Sequence, residues 1–189
     1  MAQLQNERQN EWTDQPLSHC GDKAKVFHSK DGQIGEGIPG ILTTMTDFHK
    51  AQLALCDRLE KLADGLPDQF DAQAALHVAR QVLPLIRRAH IFEEETVFGV
   101  LVRLPLEGAS IRHSLERLKF EHWEDEASAE DLAEALIAFV TGPGIVAADK
   151  LGYMLRGFFD NLRRHIAFEA EHIAPLMTQK GTAQTPFQH

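Results

Sequence analysis

The chain has 189 residues, a formal net charge of −9 and two cysteines. This length suffices for one domain with an appendage, and its core needs no disulfide bonds. The acidic balance argues against a nucleic-acid partner and against an anionic membrane surface. Because no segment resembles a signal peptide or a membrane span, we expect a cytoplasmic protein with reduced cysteines.

Residues 1–40 are polar, contain five glycines in their second half and show no sustained apolar period. We predict a largely irregular N-terminal extension over these residues. Pro39 and Gly40 mark its end, because an apolar stripe begins directly after them. A helical bundle is predicted over residues 41–178, and a polar tail over residues 179–189.

Four apolar stripes with three- and four-residue spacing follow the extension, each typical of a helix with one buried face. The first ends near Gly65, and the second runs from about residue 71 to 103. The third lies between the turns at residues 104–108 and 141–144, and the fourth spans roughly residues 147–178. No strand pattern competes with them. Four long helices joined by short turns predict an all-α, antiparallel up-down four-helix bundle.

Two of the stripes carry a histidine and a glutamate four residues apart, His90 with Glu94 and His165 with Glu169. On a helix this spacing leaves the two side chains about 40° apart and one turn along the axis. The stripe positions around them are apolar, so both pairs are predicted to face inward. An ionised carboxylate is costly to bury without a partner, and a bound cation would offset that cost.

The other two stripes add His49, and His122 with Glu126 four residues later. Counted at a rise of 1.5 Å per residue, these polar positions all lie about 21 to 28 Å from the same end of the bundle. A single histidine on an apolar face is more often a hydrogen-bonded core residue than a ligand. Four histidines at one depth, with carboxylates one turn away, predict a metal site instead.

The types of residue narrow the choice of metal. Imidazole with carboxylate suits iron, zinc or manganese, and the lack of core thiolates argues against structural zinc and iron–sulfur clusters. Six or seven ligands exceed the needs of one zinc ion, whereas glutamates that bridge two metal ions are common in helical bundles. We therefore predict a pair of iron ions.

The order of these residues along four helices resembles the hemerythrin family, in its bacterial HHE cation-binding branch, over about residues 40–178. The resemblance implies a non-haem di-iron centre with Glu94 and Glu169 as bridges. The implied terminal ligands are His49, His90, His122 and His165. Oxygen-carrying hemerythrins have a second histidine where this chain has Glu126. Glu126 is therefore a candidate ligand or a close acceptor, and a five-histidine oxygen-carrier site is not expected.

The resemblance also implies a function, the binding or sensing of dioxygen, nitric oxide or peroxide. One alternative is a di-iron oxidase or peroxide-consuming enzyme, because a carboxylate such as Glu126 near the metal stabilises ferric iron. Another is an iron donor similar to the iron–sulfur cluster repair proteins, although residues 1–40 lack the paired cysteines of those proteins. A structural bundle with satisfied histidines is the third. The sequence identifies neither the physiological ligand nor a protein partner.

Overall fold

The computed structural model describes residues 34–104, 108–142 and 144–178, and within these ranges the chain is helical, with no strand. Two π-helical turns, Glu93–Val97 and Glu169–Ile173, join consecutive α-helices, so that the described part contains four long helical segments. No helix in these ranges is long and apolar enough to cross a membrane. The α-helices are α1 (Ile34–Asp64), α2 (Ala72–Phe92), α3 (Phe98–Arg103), α4 (Gly108–Thr141), α5 (Ala148–Phe168) and α6 (Ala174–Thr178).

Helix α1 begins at Ile34, earlier than the boundary after residue 40 that the sequence predicted. Pro39 lies inside the helix, and its carbonyl accepts a hydrogen bond from the Thr43 hydroxyl at 2.9 Å. Ile38 is buried in an apolar cluster, which favours a helical backbone there although Pro39 has no N–H to donate. The rest of the predicted extension, and the tail over residues 179–189, lie outside the described residues.

Local signals account for the boundaries between the long segments. The Asp71 carboxylate accepts a hydrogen bond from the Ala74 N–H at 2.9 Å and caps the first turn of α2. Between α4 and α5, Gly144 has a φ of 86°, a conformation that favours glycine. The sequence predicted turns at both places from its glycine and proline residues.

Each long segment packs against two neighbours, and consecutive segments run in opposite directions. Helix α2 packs on α1 and α4, and α5 packs on the same two helices from the other side. The start of α1 contacts α6 and the π-helical turn Glu93–Val97, which follow the ends of α5 and α2. The predicted antiparallel up-down four-helix bundle is therefore confirmed.

The core consists of two apolar layers separated by a level of polar residues. The larger layer includes Leu59, Val82, Leu132 and Leu155, all buried at the end of the bundle where α2 begins. The smaller layer, at the opposite end, includes Met45, Val97, Leu118 and Ile173. Because both layers exclude water, the polar level between them is enclosed by protein along the axis of the bundle.

The larger layer supports a direct test of the packing. Leu155 is fully buried, so we expect Leu155→Ala to lower the free energy of unfolding by about 2 to 5 kcal/mol. Tyr153 lies on the same helix and is 83% exposed, so Tyr153→Ala should change the free energy of unfolding by less than about 0.5 kcal/mol. Denaturant unfolding of metal-free protein measures both values. Equal losses in the two variants would contradict the described core.

Candidate metal centre

Four histidines, one from each long helical segment, converge at the polar level. Each is buried, with at most 8% of its surface exposed. The rings of His90 and His122 stack with their centroids 4.0 Å apart, and the centroid of His165 is 5.1 Å from that of His122. His49 reaches the same group from α1. The structure thus brings together the histidines that the sequence placed at one depth.

Two glutamates lie among these imidazoles, Glu93 with 0% and Glu169 with 1% of its surface exposed. The carboxylate of Glu169 is 3.0 Å from Nε2 of His49 and 3.5 Å from Nε2 of His165. The carboxylate of Glu93 is 3.4 Å from Nε2 of His122 and 3.9 Å from Nε2 of His49. Both carboxylates therefore lie between His49 and the other imidazoles.

The prediction that Glu94 faces inward is wrong, because its neighbour Glu93 occupies that place. Glu94 lies on the outer side of His122, where its side chain is 36% exposed and accepts a hydrogen bond from Nδ1 at 2.8 Å. Viewed down the helix axis, Glu93 projects about 60° to one side of His90, and Glu94 projects about 40° to the other side. Helix α4 lies on the Glu94 side, so Glu94 meets His122 from outside while Glu93 enters the bundle.

A π-helical turn begins at each inward glutamate. The backbone carbonyls of Glu93 and Glu169 accept hydrogen bonds from N–H groups five residues later, at Phe98 and Ala174. Such turns are rare insertions in α-helices and occur frequently at functional sites. The same backbone irregularity thus accompanies both glutamates, although Glu93 follows its histidine by three residues and Glu169 by four.

Three of the imidazoles have a carboxylate beside the nitrogen that faces away from the cluster. A carboxylate at Nδ1 fixes the proton on that nitrogen and leaves the lone pair of Nε2 directed into the cluster. This tautomer presents a neutral nitrogen ligand to a cation. The nitrogen-to-oxygen distances are 3.3 Å for His90–Glu126, 2.8 Å for His122–Glu94 and 3.4 Å for His165–Asp125.

The structure places Glu126, predicted as a ligand or close acceptor, outside the cluster as the acceptor beside His90. Sequence reasoning missed two residues, Glu93 and Asp125. Asp125 follows His122 by three residues and was detectable, because a residue three positions away shares the buried face. Glu93 was harder to identify, since Glu93, Glu94 and Glu95 are consecutive and spacing alone does not separate the first two.

Several polar atoms at the centre are buried without a hydrogen-bond partner among the described residues. Buried polar atoms are almost always paired, so this concentration requires an explanation. Imidazole nitrogens and carboxylate oxygens are also the atoms that bind a transition-metal cation. The residues present therefore fit a metal ion. The atoms include Nε2 of His90, His122 and His165, both carboxylate oxygens of Glu93, and Oε1 of Glu169. Oδ2 of Asp125, although 3.4 Å from Nδ1 of His165, also makes no hydrogen bond to a described residue.

The potential ligand atoms form two groups, in each of which they lie within 4.8 Å of one another. We call the first the three-histidine position; it comprises His90, Glu93, His122 and His165. The second, the one-histidine position, comprises His49, Glu93 and Glu169. Glu93 belongs to both groups. The arrangement can therefore hold two cations that share this carboxylate.

The electrostatics of the centre also favour a cation. Burial raises the pKa of Glu93 well above its usual value, and the charges of Glu169 and Glu94 raise it further. Burial, with the nearby His122 and His165, lowers the pKa of His90 to about 2, so this imidazole stays neutral. Burial alone would raise the pKa of Glu169, but contacts with the imidazoles hold it well below its usual value. Ionised Glu93 is thus the group that most needs a positive neighbour.

The family model of the hemerythrin HHE cation-binding domain matches residues 40–177. The chain belongs to this family. It is a hemerythrin-like metal-binding domain, and its cluster of buried histidines and glutamates lies within the matched range. No curated protein and no solved structure matches the chain.

The positions of Glu93 and Glu94 in this hemerythrin-like domain lead to losses of different size for two adjacent alanine variants. Glu93→Ala removes the carboxylate common to both groups, so we expect it to abolish metal binding at both positions. Glu94→Ala removes only the acceptor beside His122 and should weaken binding by about 10- to 100-fold. Elemental analysis after anaerobic iron loading and desalting measures retention. Loss of metal from Glu94→Ala alone would restore the sequence-based assignment.

Proposed function

We propose that this domain holds two non-haem iron ions bridged by carboxylates, and that a small ligand such as dioxygen, nitric oxide or peroxide binds there. The observation that carries the proposal is Glu93, which has no exposed surface, has no hydrogen bond from a described residue to either carboxylate oxygen and is shared by two ligand groups. Mixed imidazole and carboxylate ligands suit iron. When bound, the iron pair supplies reversible redox chemistry toward such ligands.

The chain's own residues would hold the two ions unequally. Three imidazoles serve the three-histidine position, whereas His49 alone serves the one-histidine position together with Glu93 and Glu169. An ion with fewer protein ligands has more places left for an external molecule. We therefore infer that the small ligand binds beside His49.

Enclosure of the centre limits what can bind. The four histidines and two glutamates are almost fully buried, and aromatic side chains lie around them. The rings of Phe48 and Phe92 are 5.5 Å apart next to His49, and Phe98 stacks on His122 at 5.6 Å. A site with such walls accepts a diatomic molecule or peroxide more readily than a larger organic substrate, and it excludes bulk water.

A second candidate function is oxidation of the site by dioxygen or peroxide, as in a di-iron oxidoreductase. The observation that favours it is the set of three carboxylates beside the imidazoles, Glu94, Asp125 and Glu126. A carboxylate at Nδ1 makes an imidazole a stronger electron donor, which stabilises the higher oxidation state of a bound metal. Such a site would consume oxygen instead of releasing it intact.

Metal should stabilise the bundle, because a cation compensates the buried charge of Glu93. We expect the iron-loaded protein to unfold at a higher temperature than the metal-free protein. In Glu93→Gln, the unfolding temperatures with and without iron should be the same. The metal-free variant should be at least as stable as the metal-free parent, since glutamine places no ionisable group at that residue. Anaerobic thermal unfolding with iron or with a chelator measures both effects. Coincident midpoints for the parent in the two conditions would count against an inward-facing site.

The choice between reversible binding and oxidation is tested by exposing the anaerobically reduced, iron-loaded protein to air and then evacuating it. We expect ferric iron and no recovery of oxygen on evacuation. Glu94→Gln should slow this oxidation, because it removes a negative charge beside His122. Glu95→Gln, at the exposed neighbouring residue, is the matched control. Recovery of intact oxygen from the parent would reject oxidation and support reversible binding.

A further inference from the structure

One of the three carboxylate–imidazole pairs continues outward to a cation at the protein surface. Oε1 of Glu126 lies 3.3 Å from Nδ1 of His90, and its Oε2 accepts a hydrogen bond from Nε of Arg87 at 3.1 Å. A second carboxylate, that of Glu130, lies 3.8 Å from Nη2 of Arg87. The Glu126 carboxylate is therefore shared between an arginine on one oxygen and a histidine of the centre on the other.

In the described ranges, the other two carboxylate–imidazole pairs, Glu94–His122 and Asp125–His165, do not continue to a cation. Within the described ranges, neither Glu94 nor Asp125 has an arginine or lysine at ion-pair distance. Within those ranges no second cation is paired with the carboxylates beside His122 and His165, whereas Glu126 is shared between His90 and Arg87. The imidazole of His90 is thus the one whose electron donation depends on a surface residue.

We propose that Arg87 is a positioning residue that sets, through Glu126, how strongly His90 binds the ion at the three-histidine position. The inference rests on the proposed metal centre. A carboxylate that accepts a hydrogen bond from the Nδ1–H group increases the basicity of Nε2 and orients the ring. A guanidinium on the same carboxylate withdraws part of that charge, so Arg87 holds the affinity of His90 below the value that Glu126 alone would give.

This role predicts opposite effects from the two members of one ion pair. Glu126→Gln removes the negative charge beside His90, so we expect metal affinity at the three-histidine position to fall by about 10- to 100-fold. Arg87→Gln leaves Glu126 to His90 alone, and affinity should rise by about two- to fivefold, because Arg87 is half exposed and its charge is screened by solvent. An ion pair with only a structural role would make both variants weaker.

The experiment is a titration of the metal-free full chain with Co²⁺ against a competing chelator, followed by the visible absorption of the bound metal. The variants are Arg87→Gln, Glu126→Gln and the double variant, which should match Glu126→Gln because Arg87 acts only through Glu126. Arg87→Lys, which keeps the positive charge, should lie closer to the parent than Arg87→Gln does. Arg88→Gln is the matched control, since Arg88 donates to the Pro84 carbonyl on its own helix.

The outcomes separate this inference from the proposed centre. Opposite shifts for Arg87→Gln and Glu126→Gln, with Arg88→Gln unchanged, support the inference. Normal binding by the parent with no rise in Arg87→Gln, or with an equal rise in Arg88→Gln, overturns the inference and leaves the metal centre intact. Failure of the parent to bind either Co²⁺ or iron overturns both. Thermal unfolding of the metal-free variants shows whether any loss of binding reflects loss of the fold.

Discussion

The constraint on which this bundle depends is a buried carboxylate for which the described residues supply no hydrogen-bond donor to either oxygen. Glu93 lies at the polar level with no exposed surface, and a second buried glutamate, Glu169, lies next to it. Two ionised groups so placed repel one another, and the protein interior screens them poorly. The apolar layers above and below supply the stability that keeps these groups buried. The polar level then favours a cation, because among the described residues no arginine or lysine lies at ion-pair distance from Glu93 or Glu169, and only imidazoles are next to them.

In two consecutive acidic pairs of this centre, Glu93–Glu94 and Asp125–Glu126, the two side chains contact different groups. Glu93 enters the cluster while Glu94 pairs with an imidazole from outside, and on α4 Asp125 and Glu126 lie beside two different imidazoles. Neighbours on a helix project about 100° apart, so a consecutive pair can serve the inside and the outside of one bundle, or two different neighbouring helices. The acidic runs of this chain could thus contribute both metal ligands and the carboxylates beside the ligating imidazoles.

The fold was predictable from the sequence because its signals are local. Apolar stripes gave four helices, and residues such as Gly65 and Gly144 marked turns, although burial of Ile38 extended α1 beyond the boundary at Pro39. The four histidines were identified by depth, which depends only on helix length. The inward glutamate after His90 could not be identified in this way, because Glu93 and Glu94, three and four residues later, both lie on the same broad face of the helix. Which of the two enters depends on the position of α4, a tertiary feature.

The position of Glu126 bears on how open the proposed centre is. Nδ1 and Nε2 of an imidazole point in different directions, so the Glu126 carboxylate, which is paired with Nδ1 of His90, does not occupy the place that the buried Nε2 faces. Glu126 therefore adds charge to the centre without taking a coordination position. In a centre where six carboxylate and imidazole side chains serve two ions, that position stays open to an external molecule. Under the proposed function, Glu126 would thus make the site more electron-rich and leave a coordination position open, two properties that would favour reaction with oxygen over its storage.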